Sequence, residues 1–600
     1  MQILFLRKVT VFKMAKNKNY PLYEVSPLTD FKDMLRQAVE QAGDKIAFRY
    51  FRDYAAKDIR DVTYNEFKRE TEELGTGLAS LGITNAHVAM VSENRYEWIL
   101  TYLTVLNSEG VYIPVDKELP FNELMNILAH SDTKVVFFSK HYEQKFRENA
   151  ASLPWIKYFV GIDLAPEDSD ERFISMGALM MRGAELLNAG DTTYLNLQPK
   201  DEELKMLVYT SGTTGTSKGV MLSLHNLVSS VYYGLQISTV YDTDLSVLPY
   251  NHTYEAVCGI LVSLHHHSTI CINDSLRHVA ENLKLFKPDY IMLVPLFVEN
   301  LYKKIQNTLE ATGKAKLINT MIATSNGMRR MGIDMRKKLF KPIHDVFGGR
   351  LIKIVCGGAP IRPELAAFFD AIGINLINGY GITECSPLVS ANRDYYNDYR
   401  SVGVQLPCVE LKIDEPNEAG EGEIMVKGDI VMMGYYKKPD VTAEVLSEDG
   451  WFRTGDYGRL NDEGQLFITG RKKNLIVLKN GKNVYPEEIE EYLSGIPYVE
   501  EVVVYAVKNE SGEETALCAE IFPNEELFAG KTQEERHAAI KSAVEELNKT
   551  LPPYKKILKI KLRATEFEKT TSKKIRRVGL GDAADRPASA DEAGEADANK

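Results

Sequence analysis

Residues Tyr209–Val220 read YTSGTTGTSKGV, and the interpretation of this stretch decides the fold. The apolar run LKMLVY before it predicts a buried strand and LHNLVSSVYYGL after it predicts an amphipathic helix, so Ser211–Lys218 is expected to be a strand-to-helix loop. Gly212, Gly215 and Gly219 let backbone N–H groups turn toward an anion, while Ser211, Thr213, Thr214, Thr216 and Ser217 add donors and Lys218 adds charge. A triphosphate suits that chemistry. The rival reading is a plain surface loop, because Gly, Ser and Thr are common loop residues. A Walker-type loop is excluded, since G-x-x-x-x-G-K-[ST] counted from Gly212 needs glycine where Ser217 stands. A dinucleotide fold is excluded as well, because GYGITE at 379–384 has Glu384 in place of the third glycine.

The chain of 600 residues is long enough to require more than one domain, since single cores stop growing at roughly 250–300 residues. Its 44% hydrophobic and 26% charged residues are those of an ordinary globular protein, and no apolar run approaches the ~20 residues that span a bilayer. A net charge of −12 argues against broad adhesion to nucleic acid or anionic membranes and favours small-molecule work, local basic patches excepted. The six cysteines, Cys258, Cys271, Cys356, Cys385, Cys408 and Cys518, show no C-x-x-C spacing, which predicts reduced thiols in a cytosolic protein with neither disulfide nor zinc. MQILFLRKVTVFKM at the start has an apolar run broken by Arg7 and Lys8 and no small-residue cleavage site, so residues 1–20 read as an extension, with Met14 a plausible start.

From about Leu28 to Leu460 the runs HVAMVS, VYIPV, KVVFFS, LKMLVY, DYIMLVP and RLIKIVCGG alternate with helix-like stretches. This is the pattern of parallel sheets covered by helices, and it predicts an α/β fold with a large multilobed N-terminal domain at 21–471. After NDEGQLFITGRKKNLIVLKNGKNV (461–484), rich in turn signals, the order becomes helix, strand, strand, helix, strand. A small mobile α+β domain is expected at 472–578, its first helix opened by Pro486 with Glu487 and Glu488 behind it. Residues 579–600 carry almost no large apolar side chain and read as a disordered acidic tail.

Four further patches follow the glycine-rich loop: CGGAP (356–360), NGYGITE (378–384), WFRTGD (451–456) and GRKKN (470–474). Together, and in order over roughly residues 25–577, they resemble the adenylate-forming superfamily. EDGWFRTGDYGRLNDEGQLFITGRKKN (448–474) is similar to the signature of long-chain fatty acyl-CoA synthetases. The resemblance implies attack of a carboxylate on the α-phosphate of MgATP, giving acyl-AMP and pyrophosphate, followed by displacement of AMP by the thiol of CoA. Two anions must approach one another in the first step, so positioning and focused positive charge dominate the rate. Fatty acid, ATP, Mg²⁺ and CoA are the implied small-molecule partners, with no nucleic acid. Transient contact at the inner face of a membrane is compatible with a fatty substrate, although no strong basic amphipathic helix stands out in the sequence.

By that resemblance, nucleotide binding falls to Thr210, Ser211, Gly212, Thr213, Thr214, Gly215 and Lys218, to Gly358 and Ala359, and to Gly379, Tyr380, Gly381 and Thr383. Tyr380 would stack on adenine, Thr383 would reach the α-phosphate and Glu384 would hold magnesium, which takes one or two carboxylates with phosphates and water. Asp456 would accept from the ribose hydroxyls and Arg471 would add a charged contact to ribose or phosphate. Lys473 aligns with the hinge about which the small domain rotates. In EKTTSKKIRR (568–577) Lys574 aligns with the lysine that enters during adenylation, yet Glu568 stands where proline is frequent and Lys573 where glycine is frequent, which leaves Lys573 as a substitute. His252, in LPYNHTYE (248–255), is the candidate gate between the acid pocket and the thioester channel, and GKNVY (481–485) the candidate loop beside the CoA arm.

Each assignment has a plainer rival. CGGAP and Tyr380 suit tight packing, Asp456 a turn, Lys473 a solvated basic run and His252 a packed histidine. His265–His267 lacks metal-ligand spacing and reads as a helix-to-strand turn. The length of the stretch at about 296–349 favours a fatty chain, and Tyr232, Tyr233, Ile260 and Val262 are candidates to line an apolar tunnel or simply core. The rival functions are transfer to a carrier-protein pantetheine, action on an aryl acid, or nucleotide binding without catalysis.

Overall fold

The computed structural model of the chain describes residues 21–210, 217–478, 483–508, 514–569 and 575–577. Contacts divide the chain into two units, Met1–Thr454 with Arg459–Ile468, and Gly455–Gly458 with Thr469–Lys600.

In the larger unit, short runs of β-branched and aromatic residues form the buried strands. Val135–Phe138 (VVFF) and Val111–Pro114 (VYIP) have every residue buried, as expected of strands covered on both faces. They belong to an eight-stranded sheet in the order Gly434–Tyr435, Lys218–Ser223, Leu204–Thr210, Val111–Pro114, His87–Val91, Val135–Phe138, Tyr158–Gly161, Phe173–Ser175. From Leu204–Thr210 onward its neighbours run parallel. A second, nine-stranded sheet has a parallel centre formed by Ile46–Asp53, Thr269–Ile272, Thr243–Ser246, Tyr290–Leu293, Lys353–Cys356 and Asn375–Gly381.

Helices fill the faces. Tyr64–Ser80 starts on a capping box in which Thr63 and Glu66 satisfy each other's backbone N–H groups. Its Gly77 and the facing Gly183 let two helices meet closely, since a Cβ on Gly183 would lie 1.8 Å from the Glu73 carbonyl oxygen. At the centre, Trp98 packs edge-on against Tyr112 and Tyr250 at centroid distances of 5.1 and 5.3 Å, contacts worth about 0.5–1.5 kcal/mol each beyond burial.

The smaller unit follows the expected order of helix, strand, strand, helix, strand. Pro486–Ser494 begins with proline and carries Glu487 and Glu488 in its first turn. Val499–Lys508 and Glu514–Pro523 pair antiparallel, and Ile557–Leu562 joins the latter in parallel. Gln533–Asn548 starts on a second capping box, Thr532 with Glu535. Ile489, Leu493, Ile540 and Val544 from the two helices close one core with Val502, Val504, Ala519 and Ile521 from the sheet.

One expectation is corrected. The glycine-rich loop does not lead into a helix, because Lys218–Ser223 is a strand lying antiparallel to Leu204–Thr210, and the helix Leu224–Ile237 begins only after it. The strand is short and Ser223 is already the helix N-cap, so the apolar residues of strand and helix run together in the sequence. His266 and His267 do form the turn between Val262–His265 and Thr269–Ile272. Among the described residues no helix is long and apolar enough to cross a membrane.

Candidate active site

Thr210 ends one strand and Lys218 begins its partner, and the two are opposite one another in the ladder. The sheet therefore fixes both ends of the loop, whose Ser211, Gly212, Thr213, Thr214 and Gly215 lie outside the described residues. A third strand, Gly434–Tyr435, pairs on the other side with Tyr435 opposite Val220, and Tyr436 N–H donates to Gly219 O at 2.8 Å.

That third strand brings a residue the sequence reading missed. The Lys218 ammonium lies 4.9 Å from the centroid of the Tyr435 ring, and the Tyr435 hydroxyl donates to Glu384 Oε1 at 2.9 Å. Tyr435 is only 6% exposed. Burial and the Glu384 carboxylate push its phenol well above the ordinary range, which keeps it a donor. Glu384 is also pinned through its backbone, since Met432 N–H donates to Glu384 O at 2.9 Å. One tyrosine thus links the phosphate-loop lysine to the candidate magnesium carboxylate. A carboxylate oxygen held in place by a neutral donor is the hard ligand type that magnesium takes, so the residues fit that ion. The only sequence cue was a GYY run, which reads as core.

The next tyrosine, Tyr436, is anchored differently. Its hydroxyl donates to Asp132 Oδ2 at 2.7 Å, where the Lys437 ammonium also pairs at 2.6 Å. Tyr209, beside Thr210, sits 2.7 Å from His130 Nδ1 through its hydroxyl. These contacts fix the base of the loop by side chains as well as by the ladder.

CGGAP and GYGITE leave the carboxyl ends of two adjacent parallel strands, Lys353–Cys356 and Asn375–Gly381, in which Cys356 is opposite Asn378. Ligands of open α/β sheets bind at such ends. Gly358 has φ +83° and, with Ala359, is exposed. Gly381 is required by space, since a Cβ there would meet Pro387 O at 2.3 Å. Tyr380 lies between Gly379 and Gly381 with its ring in the main core, and Thr383 and Glu384 occupy the tight turn Thr383–Cys385 that follows.

His252 caps a turn. Its N–H donates to Pro249 O, and its own carbonyl accepts from Glu255 and Ala256. A π-helix, Tyr254–Leu261, follows directly. The Glu255 Oε1 atom lies 2.5 Å from Ser246 Oγ, which lies 3.1 Å from the Tyr250 hydroxyl. Asn94 completes the attachment, accepting from Tyr250 N–H at 3.1 Å and donating to Leu248 O at 2.7 Å. Burial raises the carboxyl groups of both Asp244 and Glu255, and the Glu255 charge raises that of Asp244 further. Of the tunnel candidates, Ile260 and Val262 are buried in the main core, while Tyr232 and Tyr233 are half-buried and meet edge to face at 5.0 Å.

In the smaller unit, Asp456 is 3% exposed and its Oδ1 lies 3.0 Å from Arg471 Nε. Lys473 stands in the turn Lys472–Asn474, its ammonium lowered from the ordinary value by burial and then by Arg471 and Arg577. Asn474 donates to Glu487 Oε1 at 2.5 Å. Arg577 pairs with Glu490, whose Oε1 accepts from Val504 N–H at 2.6 Å. Lys569 pairs with Glu501 and bridges to Ile575, and Arg576 N–H donates to Glu568 O at 2.8 Å. Lys573 and Lys574, between those anchors, lie outside the described residues, as do Gly481 and Lys482. The candidates therefore fall into two sets, Lys218 with Glu384 in one unit and Asp456, Arg471 and Lys473 in the other.

Residues 35–436 match the family described as "AMP-binding enzyme", and residues 473–580 match its "AMP-binding enzyme C-terminal domain". A long-chain-fatty-acid–[acyl-carrier-protein] ligase of Arabidopsis thaliana, AEE15, is 28% identical over 86% of this chain and 79% of its own length. Long-chain-fatty-acid–CoA ligase 5 of Mus musculus is 30% identical over 74% of this chain and 69% of its own. Among solved structures, the anthranilate CoA ligase AuaEII in complex with anthranoyl-AMP shares the fold with a TM-score of 0.73 at 19% identity, covering 94% of this chain and 98% of that one.

Proposed function

Because this chain belongs to the AMP-binding enzyme family, we propose that it activates a long-chain fatty acid as acyl-AMP and transfers the acyl group to CoA. It is an adenylate-forming, acid-activating ligase. The fatty acid and the acceptor are the finer part of the reading. They are supported by relatives named as long-chain ligases and by the long helical segment between Tyr290–Leu293 and Lys353–Cys356.

The observation that carries the reading is the contact of Tyr435 with both Lys218 and Glu384 beside the loop that follows Thr210. In the first half-reaction a carboxylate oxygen bonds to the α-phosphorus of ATP and the bond to pyrophosphate breaks. Lys218 and the donors of the Ser211–Gly215 loop hold the phosphates, and Thr383 orients the α-phosphate. Glu384 would hold magnesium, which when bound neutralises phosphate charge. Tyr380 and the Gly358–Ala359 edge take adenine, and Asp456 with Arg471 takes the ribose. In the second half-reaction the thiol sulfur of CoA bonds to the acyl carbon, AMP leaves, and the thiol proton passes to solvent. His252 gates the channel between the two reactants and Lys473 is the pivot of the smaller domain.

Lys574 completes the first half-reaction. Lys574→Ala is expected to lose adenylate formation while still making thioester from supplied acyl-AMP, whereas equal loss of both would reject the assignment. A second reading, transfer to a carrier-protein pantetheine, is favoured by the relative named as an acyl-carrier-protein ligase. The test incubates the protein with MgATP, CoA and acids from acetate through oleate plus benzoate, reading AMP and acyl-CoA by mass spectrometry. Acyl-CoA rising toward long chains supports the proposal. AMP or acyl-AMP without acyl-CoA selects the carrier protein, and ATP binding without acid-dependent consumption rejects catalysis.

A further inference from the structure

The helix Ala315–Arg330 packs Ile318, Met321 and Ile322 against a core and buries Ser325. A surface helix of this kind ordinarily carries charge on its opposite face. Here the exposed positions between Leu317 and Arg329 are Thr320, Ala323, Thr324 and Gly327, none of them charged, and the exposed charges, Lys316 and Arg330, stand at the two ends. Leu317 and Met331 are 57% and 71% exposed. They lie on the same side, because 317, 324 and 331 are spaced by seven residues and recur on one stripe of an α-helix. Ile333, 47% exposed, follows the C-terminus in a fixed turn in which its N–H donates to Met328 O at 3.0 Å and Gly332 has φ +82°.

The charge around this face runs against that of the chain. No Asp or Glu occurs from Ala311 to Ile333, while Lys314, Lys316, Arg329 and Arg330 do, in a protein of net charge −12. Arg329 and Arg336 are taken up by Asp370, each at 2.9 Å. Lys314 and Lys316 stand exposed at the start of the helix, and Lys337 and Lys338 are exposed on the short helix Arg336–Leu339 beyond its end.

We propose that this face docks on an anionic bilayer surface, with Leu317, Met331 and Ile333 entering the headgroup–acyl boundary and the surrounding lysines meeting lipid phosphates. A protein partner would need a central anchor seated in a complementary pocket. Two apolar points about 20 Å apart along a helix, separated by small uncharged residues, suit a fluid interface that closes around each one. Aliphatic insertion combined with basic flanks is the combination that gives stable peripheral binding where either signal alone is marginal. Hydrophobic periodicity does not reveal this face, because it is not the helix's apolar side, which packs against the core.

The inference does not depend on which acid the enzyme takes, and its test uses no acid, ATP or CoA. The full chain is sedimented with vesicles of mixed phosphatidylglycerol and phosphatidylcholine, and with phosphatidylcholine alone. Binding is expected to the mixed vesicles only. Lys314→Gln and Lys316→Gln should each weaken it about fivefold, and Leu317→Ser with Met331→Ser should weaken it at least tenfold. Circular dichroism checks that the variants fold. Equal binding to both vesicles, no binding to either, or binding unchanged in the folded variants would overturn the proposal. So would capture of this face by an acidic polypeptide without any vesicle binding.

Discussion

Lys218 and Glu384 in the larger unit are held by means quite unlike those that hold Asp456, Arg471 and Lys473 in the smaller one. The first pair is fixed by a strand ladder, a backbone hydrogen bond and one neutral phenol. The second set sits in a network of charged side chains, Asp456 with Arg471 and Glu490 with Arg577. Neutral anchors in a buried sheet hold their geometry at any ionic strength. Each of these pairs sets a largely buried carboxylate against a partly exposed arginine, so the arginine end is open to screening by salt while the carboxylate depends on its partner. One region is anchored through neutral donors and the other through charge.

The largest effect that would test this contrast is Glu384→Ala, expected to lower adenylate formation by about 10³-fold with the fold unchanged, as read from acid-dependent pyrophosphate release and thermal melting. A small loss would mean that the rigid region holds no essential carboxylate. In the charged region, Arg577→Ala leaves the Glu490 carboxylate buried without its partner and should destabilise the smaller unit by about 3 kcal/mol, measured by denaturant unfolding. Glu490→Gln in the same chain should recover part of that loss. Tyr435→Phe removes one hydrogen bond to a charged acceptor, so the magnesium requirement for nucleotide binding should rise roughly 10–30-fold. That shift should be insensitive to salt, and a salt-dependent one would erase the contrast.

The last test is a pH dependence. Burial raises the Glu255 carboxyl from 4.5 to about 8, so the folded chain keeps a proton that the unfolded chain gives up. The associated stability is complete below pH 4.5, falls as pH climbs and is lost through about 8. Glu255→Gln should flatten that decline, lowering the melting temperature less between pH 5 and pH 8 than the parent chain does, as calorimetry at a series of pH values would read.

Much of the larger unit was readable because its strands are continuous apolar runs bounded by turns, as in HVAMV and VVFF. The order of the smaller unit was readable because Pro486 and the acidic first turn mark a helix start. The hairpin at Lys218 was not, because its return strand passes into a helix without punctuation. Glu384 stood out because its neighbours in the chain form a pattern. Tyr435 did not, since its role comes from pairing beside Val220, more than two hundred positions away, and its own neighbours Gly434 and Tyr436 carry no such pattern.

The π-helix that begins just after His252 carries its hydrogen bonds one residue further along the chain than an α-helix does. It is equivalent to an α-helix with one residue inserted, and one residue of helix is a rotation of about 100°. Deleting Gly259, which has no side chain to lose, would let the segment relax to α-helical winding and turn everything before it, His252 included, by about that angle. A length change of a single codon would then re-aim the loop with its composition intact, without altering any residue on it.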